Sequence, residues 1–304
     1  MARFGIIGAG LMGHGIAVAL ARGGHQVHVH DSDPATLDSL PVRIGTALRL
    51  CGESEEASQR ARSLITATPR LAEALGQAEF VIEAVPERLA VKHEVIAAVE
   101  AAVSPEVPVW SNTSVLSLTE VGSVMRHPGR LVGVHWWNPP HLIPLVELAP
   151  SAATEPELVS QAEELLGALG KTTVRLHRDV PGFIGNRLQF ALLREALNLV
   201  RDNVCDAATI DTVVRSSFGL RLASVGPMEN ADYIGLDLTR SILTSLAPSL
   251  STAAGPFPGL DELLGDGHRG MASGEGLLSW PPGRGEDVAR RLVAGIQRNL
   301  GSGT

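Results

Sequence analysis

A glycine-rich turn near the start of the chain constrains the fold more than any other feature. The apolar run Phe4 to Ile7 predicts a buried strand, and Gly8-Ala9-Gly10-Leu11-Met12-Gly13 follows it directly. An amphipathic helix is predicted from Met12 to about Arg22. In this arrangement the first glycine permits a tight turn, the second admits a pyrophosphate, and the third allows close helix packing. The segment predicts a dinucleotide-binding α/β fold, with Gly8, Gly10, Leu11, Met12 and Gly13 at the cofactor.

The end of the second predicted strand indicates which cofactor binds. Gln26 to His30 supplies this strand, and Asp31 follows it, 18 residues after Gly13. A carboxylate at this point can accept hydrogen bonds from both hydroxyls of an adenosine ribose, and it would repel the 2′-phosphate of NADP. The sequence therefore predicts NAD. The alternative is a glycine turn that binds no nucleotide.

Strands and helices alternate up to residue 180, and the alternation then stops. From Pro181 the pattern is helical, with a long helix to about Asp202, and loops or irregular segments are predicted at 219–222, 255–259 and 265–276. A chain of 304 residues is long enough for two domains that each bury a core. We predict a cofactor-binding α/β domain at residues 1–180 and a mostly helical substrate and dimerisation domain at residues 181–304.

Charge, cysteine content and hydropathy exclude several classes of protein. The net charge of −8 comes without a basic cluster, which argues against nucleic-acid binding. Cys51 and Cys205 show no CxxC spacing, so neither a metal site nor a disulfide framework is expected. No apolar run is long enough to span a bilayer, and no export signal precedes the first strand. We therefore expect a cytoplasmic protein without membrane contact.

A histidine and a glutamate lie on two apolar runs that a tandem proline separates. Leu131 to Val134 leads to His135, and Ile143 to Val146 leads to Glu147. Pro139-Pro140 predicts a loop between two extended segments, because proline lacks an N–H and fixes φ. This geometry can place His135 beside Glu147, and the carboxylate would then fix the imidazole tautomer of a general base. A structural pair in the core without chemistry is the alternative.

Other polar residues follow predicted strands, where a parallel sheet has its ligand crevice. Glu87 and Lys92 can reach the nicotinamide side of a cofactor, or they are a solvated pair at a helix start. The run Ser111 to Ser114 can present a hydroxyl to a substrate. It can equally be a turn and a helix cap, since Ser117 and Glu120 have the spacing of a capping box.

Seven motifs in this order resemble the 3-hydroxyacyl-CoA dehydrogenase family. They are residues 8–13, Val85-Pro86-Glu87 with Lys92, Ser111 to Ser114, His135 to Pro139, residues 181–187, Gly226-Pro227, and Ser273 to Gly276. The resemblance implies a Rossmann-like N-terminal domain, a helical C-terminal domain that forms a homodimer, and NAD-dependent oxidation of a secondary alcohol.

The resemblance also implies roles for individual residues. His135 is implied as the general acid/base and Glu147 as its orienting partner, while Ser114 and Asn186 are implied as substrate hydrogen-bonding residues. Cofactor contacts are implied for Glu87, Lys92, Asn112 and Asn138. Chemistry agrees, because oxidation of a hydroxyl needs a base for its proton and hydrogen bonds to its oxygen. Asn186 lies in the predicted second domain, so we expect the site in an interdomain cleft.

Departures from the fatty-acyl pattern bear on the substrate. Members that bind CoA commonly carry a lysine-rich segment after the second strand, whereas residues 34–64 contain no lysine, and Ala272 stands where the family has another lysine. The stretches 135–140, 143–147 and 186–189 are more similar to the L-gulonate 3-dehydrogenase (lambda-crystallin) branch and to related dehydrogenases of small hydroxy acids.

Arg221 stands where those branches tend to carry a basic residue, and a guanidinium can bind a free carboxylate with two hydrogen bonds. The alternative is a surface arginine. We therefore predict an NAD-dependent oxidoreductase of a small 3-hydroxy carboxylic acid. A short-chain 3-hydroxyacyl-CoA dehydrogenase is the alternative substrate class, and a catalytically silent nucleotide-binding or structural protein is the alternative of another class.

Overall fold

The structure is a computed structural model that describes residues 1–301. The chain forms two compact units, Met1–Arg187 and a second that begins at Leu188. Pro181 to Arg187 belong to the first unit, and the domain boundary after residue 180 stays a prediction. Among the described residues, no helix is both long and apolar enough to cross a lipid bilayer.

An eight-stranded sheet forms the centre of the first unit. The strand order is β3-β2-β1-β4-β5-β6-β7-β8, and all neighbours are parallel except β6 and β7. The strands are β1 (Arg3–Ile7), β2 (Gln26–His30), β3 (Ile65–Thr68), β4 (Phe80–Glu83), β5 (Val109–Ser111), β6 (Leu131–Trp136), β7 (Leu145–Pro150) and β8 (Thr172–Arg175). The predicted Rossmann-like α/β architecture is confirmed.

Helices cover both faces of this sheet. They are α1 (Gly13–Arg22), α2 (Pro34–Leu50), α3 (Glu55–Ser63), α4 (Leu71–Leu75), α5 (Leu89–Ala102), α6 (Leu118–Val121) and α7 (Pro156–Ala168). Central strands are buried on both faces, as parallel strands between helices are. Phe4 and Ile6 belong to one core, whereas Ile7 belongs to the core on the opposite face, because successive strand residues point to opposite sides.

Helix α1 differs from the prediction in its pattern of burial. Every residue from Ile16 to Ala21 is buried, so the helix is enclosed on all sides rather than amphipathic. An apolar helix buried all round is the expected centre of a large core. The glycine turn before α1 is therefore anchored to the most buried helix of the unit.

The starts of α2 and α6 are capped in different ways. Asp33 caps α2, with Pro34 in the first turn, and its carboxylate accepts the N–H groups of Ala35 and Thr36 at 3.1 and 3.2 Å. The prediction of a capping box at Ser117 and Glu120 is wrong, because the Ser117 side chain makes no cap hydrogen bond to the helix. Its hydroxyl instead donates to Asp179, whose carboxylate also accepts the Thr119 N–H at 3.1 Å, so a distant residue replaces the local cap.

The second unit is helical, as predicted. Helix α8 (Gly185–Arg201) continues into it, followed by α9 (Ala207–Ser216), α10 (Phe218–Leu222), α11 (Pro227–Ile234), α12 (Leu236–Leu246), α13 (Pro258–Gly265) and α14 (Arg284–Gly301). The loop predicted at 219–222 is wrong, because those residues lie in α10. Helix α13 lies mostly between the two segments predicted as irregular, 255–259 and 265–276, and overlaps them only at its two ends.

No residue of the second unit between positions 188 and 300 is buried. Large apolar side chains on three of its helices are exposed by about half: Phe190 by 53%, Val213 by 54% and Leu243 by 56%. These helices therefore carry large apolar side chains that the described part of the chain covers only in part.

Candidate active site

The glycine turn joins β1 to α1 at the carboxyl edge of the sheet. Gly8 has a φ of +100°, which favours glycine. A Cβ on Gly13 would lie 1.8 Å from the carbonyl oxygen of Gly8, so no side chain fits there, whereas no atom lies within 4 Å of a Cβ built on Gly10. The turn therefore leaves open space beside Gly10 at the helix N-terminus, which fits the pyrophosphate of a dinucleotide.

Two charged side chains hold this turn in place. Asp31 accepts the Ala9 N–H on Oδ2 at 2.8 Å and the Asp33 N–H on Oδ1 at 2.9 Å. Arg43 donates to the carbonyl oxygens of Ala9 and Gly10 at 2.6 and 3.1 Å. Because one residue binds the N–H side and the other the C=O side, the turn is preorganised. Sequence reasoning did not identify Arg43 in this role, since it lies 33 residues from Gly10.

A cavity of about 780 Å³ lies in the first unit beside this turn. Its volume falls within the usual range for ligand sites, roughly 300–1,000 Å³. The lining includes several of the predicted site residues: Gly8, Gly10, Leu11, Met12, Asp31, Glu87, Asn112 and Ser114. The predicted cofactor residues from the ends of four strands, β1, β2, β4 and β5, thus meet in one space that fits NAD.

Lys92 is enclosed between two carboxylates. Its Nζ lies 2.7 Å from Oε1 of Glu83 and 3.1 Å from Oε2 of Glu87, and its side chain is only 1% exposed. A solvated pair at the helix start, one of the two interpretations of the sequence, therefore does not hold for Lys92. Glu87 is 30% exposed and lines the cavity, so a contact from Glu87 to the cofactor stays a prediction.

Glu83 is a site residue that sequence reasoning missed. It is fully buried at the end of β4. Besides Lys92 it binds the Val85 N–H at 2.9 Å and the Ser111 hydroxyl at 2.6 Å. A charged residue inside the apolar run 80–85 was the available signal, because a buried charge requires a partner.

Glu87 fixes the loop that carries Ser114. Its Oε1 accepts the Thr113 hydroxyl at 2.6 Å and the N–H groups of Ser114 and Val115 at 2.8 Å each. Burial alone would raise the pKa of Glu87, but Lys92 and these hydrogen bonds outweigh it and lower the pKa. Glu87 is therefore an anion at neutral pH that orients the loop.

Ser114 and Asn186 are brought together as predicted. The Asn186 side-chain amide donates to the carbonyl oxygen of Ser114 at 3.1 Å. Asn112 lines the cavity and also accepts the Trp136 N–H at 2.9 Å, which ties the end of β5 to β6. Their roles toward substrate and cofactor stay predictions.

His135 and Glu147 form the predicted pair. Strands β6 and β7 are antiparallel and place the two residues directly opposite each other, with Nδ1 and Oε2 2.8 Å apart. Trp137 Nε1 donates to the same oxygen at 3.2 Å, while the N–H groups of Ile184 and Gly185 donate to Oε1 at 2.9 and 3.0 Å. Burial would raise the pKa of Glu147, but the hydrogen bonds from His135 and the two amides outweigh it and lower the pKa.

The imidazole of His135 lies between two aromatic rings. Its centroid is 5.3 Å from those of both Trp137 and Phe183. Phe183 has a left-handed φ of +47°, which costs an L-residue about 1–2 kcal/mol, and its ring is fully buried. Because Nδ1 donates to Glu147, the neutral ring has its lone pair on Nε2.

Asn138, His141 and Arg221 lie outside these networks. Asn138 is exposed after β6, and its contact with the cofactor stays a prediction. His141 is buried with both ring nitrogens unpaired within the described residues, and burial, followed by the charges of His14, Lys171 and Arg22, lowers its pKa to about 4. Arg221 is exposed on α10 in the second unit, and its role stays a prediction.

Two family models match the chain. The model for the NAD binding domain of 3-hydroxyacyl-CoA dehydrogenase matches residues 3–180, and the model for the C-terminal domain of 3-hydroxyacyl-CoA dehydrogenase matches residues 182–280. Together they cover most of the sequence.

Individual relatives have different substrates in their names. The chain is 35% identical to 5-formyl-3-hydroxy-2-methylpyridine 4-carboxylate 5-dehydrogenase of Mesorhizobium japonicum, over 95% of each protein. It is 38% identical to L-carnitine dehydrogenase of Streptomyces griseus subsp. griseus, over 74% of this chain and 68% of that one. It is 33% identical to 3-hydroxyadipyl-CoA dehydrogenase of Escherichia coli, over 96% of this chain and 60% of that one.

A solved structure of the pyridine carboxylate enzyme is also similar. The crystal structure of 5-formyl-3-hydroxy-2-methylpyridine 4-carboxylic acid 5-dehydrogenase, described as an NAD+-dependent dismutase, superimposes with a TM-score of 0.92 at 32% identity. The match covers 100% of this chain and 99% of that one.

Proposed function

The chain belongs to the 3-hydroxyacyl-CoA dehydrogenase family, and we propose that it interconverts the hydroxyl and keto forms of a small 3-hydroxy carboxylic acid with NAD. The observation that carries this proposal is the buried pair of His135 and Glu147, with Nδ1 and Oε2 2.8 Å apart. His135 lies near the carboxyl end of β6, opposite Glu147 on β7, and Ser114 follows β5, the other neighbour of β6, so the reactive groups lie at the same edge of the sheet.

Each of these side chains has a task in the oxidation of an alcohol. NAD, when bound, accepts the hydride from the hydroxyl-bearing carbon. His135 takes the hydroxyl proton on Nε2, because Nδ1 already donates to Glu147. Glu147 remains anionic and stabilises the imidazolium that forms. The Ser114 hydroxyl and the Asn186 amide donate hydrogen bonds to the oxygen that changes from hydroxyl to carbonyl.

The basic residues in the segment after β2 favour a free acid over a CoA thioester as the substrate. Residues 34–64 contain no lysine to bind the phosphates of CoA. Arg43 is directed toward the glycine turn and Arg60 pairs with Glu56 at 2.7 Å. The Mesorhizobium japonicum relative, which matches over 95% of both proteins, acts, by its name, on a pyridine carboxylate. These observations support a small substrate that carries its own carboxylate.

A substrate panel with an Arg221 variant tests the proposal. Free 3-hydroxy acids and their CoA thioesters are compared by kcat/KM, followed by NADH absorbance. We expect turnover of a free acid, and Arg221→Met should lower its kcat/KM about 10- to 100-fold because one charge-assisted contact of about 1.5–3 kcal/mol is lost. Arg240→Met, at another exposed arginine of the second unit, is the control and should have little effect.

Three outcomes would contradict this proposal. Efficient turnover of acetoacetyl-CoA with none of free acids would assign the thioester function instead. Unchanged kinetics in Arg221→Met would refute the carboxylate contact. Binding of NAD without turnover of any hydroxy compound would favour the catalytically silent alternative.

We further propose that residues 181–304 form the substrate and dimerisation domain of a homodimer. The second unit has no buried residue between residues 188 and 300, whereas a helical unit of this length normally has a core of its own. Its exposed apolar side chains therefore fit an interface with a second copy of the chain. Sedimentation equilibrium should give a mass twice the 32.0 kDa of one chain. Phe190→Glu should lower the measured mass toward that of a single chain. A monomer at micromolar concentration would contradict the dimer.

The cytoplasmic location of the protein stays a prediction.

A further inference from the structure

Trp137 contacts both members of the proposed acid/base pair. Its indole N–H donates to Oε2 of Glu147 at 3.2 Å, the oxygen that also accepts Nδ1 of His135 at 2.8 Å. Its ring centroid lies 5.3 Å from that of His135. Given the proposed function of His135, we propose that Trp137 is a positioning residue that sets the pH range in which His135 takes up and releases its proton.

The start of helix α8 holds the indole in this position. A Cβ on Gly185 would lie 2.2 Å from the Trp137 ring, so the glycine is what leaves room for the indole. The N–H of Gly185 donates to Oε1 of Glu147 at 3.0 Å. One short segment therefore fixes the indole against the carboxylate and binds the second carboxylate oxygen, which limits the freedom of Glu147 to turn away.

The indole N–H and the imidazole compete for the same charge. Each donor to a carboxylate oxygen lowers the basicity of that oxygen, so the indole N–H reduces the stabilisation that Glu147 gives to the protonated ring. Among the described residues, Glu147 is the ionisable group hydrogen-bonded to His135, whereas its ring neighbours Trp137 and Phe183 are uncharged. Without the indole N–H, the protonated ring should persist to higher pH.

Trp137→Phe is the direct test, because it keeps an aromatic ring near Gly185 and removes the N–H. In the direction of alcohol oxidation, the acid-side midpoint of the kcat/KM profile should move up by about 0.5–1 pH unit, equivalent to about 3- to 10-fold in the protonation equilibrium. NAD binding should be unchanged. An unchanged midpoint in the folded variant would overturn the proposal.

Two controls distinguish the effect of losing the hydrogen bond from the effect of losing a tryptophan side chain. Trp136→Phe removes a buried indole N–H that has no acceptor within the described residues, so its midpoint should match wild type. In a Glu147→Gln background, Trp137→Phe should cause no further shift, because the shared charge is already absent. A similar shift from Trp136→Phe, or a shift that persists with glutamine, would refute the assigned contact.

A measurement on the wild-type chain covers the case in which Trp137→Phe does not fold. The four tryptophans give four indole N–H signals in a ¹⁵N–¹H NMR spectrum, which are assigned by replacing the other three in turn. The Trp137 signal should move with pH at the midpoint of the His135 ring signals. A Trp137 signal that ignores this titration would overturn the proposal. Because the titration needs no turnover, its failure differs from failure of the substrate panel.

Discussion

Replacing His135 by alanine is expected to lower kcat by roughly 100-fold or more, the usual scale for loss of a general acid–base group. The alcohol then has no base for its proton, while the glycine turn and Asp31, for which we predict contacts with NAD, are unchanged. NADH formation at saturating substrate measures the loss, and the quenching of tryptophan fluorescence by NAD checks that the cofactor still binds.

His177→Ala is the control for this experiment, since His177 is an exposed histidine of the same unit. It should retain wild-type turnover. Unimpaired turnover in His135→Ala would contradict the mechanism and would leave His141, whose pKa is lowered to about 4, as the next base to test. Loss of NAD binding together with turnover would instead indicate that the variant is misfolded.

Replacing Lys92 by methionine is expected to lower the free energy of unfolding by about 3–5 kcal/mol, the usual cost of removing one member of a buried ion pair. Methionine fills much of the lysine volume, so the loss is mainly electrostatic. Glu83 would remain fully buried without its cation, and Glu87 would lose part of the charge balance that orients the Ser114 loop. Denaturant unfolding measures the change.

Two further variants test the cause of this loss. Lys92→Met combined with Glu83→Gln should recover part of the stability, because the uncompensated buried charge is removed as well. Arg60→Met breaks an exposed pair with Glu56 and should cost less than about 1 kcal/mol. If Lys92→Met costs no more than Arg60→Met, the buried network does not stabilise the fold.

The features that the sequence predicted correctly depend on short-range patterns. The glycine turn is flanked directly by its strand and helix, and Asp31 ends the very next strand. His135 and Glu147 are only 12 residues apart, and the proline pair between them leaves few arrangements other than adjacent strands. A strand–loop–strand unit of this length fixes its own cross-strand partners, so local reasoning was sufficient.

The features that were missed depend on the order of strands in the sheet. Ser117 is bound by Asp179, 62 residues away, and a nearby glutamate with the right spacing gave a false capping signal. Glu83 reaches Ser111 only because β4 and β5 are neighbours. Burial of α1 from Ile16 to Ala21 likewise results from the elements packed around it, and no periodicity within the helix encodes their positions.

The four hydrogen bonds to Glu147 also determine where a proton can go. Its two oxygens accept two donors each, which uses the roughly four lone-pair sites of a carboxylate and leaves none for a water molecule. Within the described part of the chain, a proton on the His135 ring therefore has no relay through Glu147 to the solvent, and it leaves by Nε2. If substrate occupies that side of the ring, the acid formed in each oxidation stays on the enzyme until the ketone leaves. Each cycle would then end with a protonated His135, and this proton must leave the enzyme before the next alcohol can react.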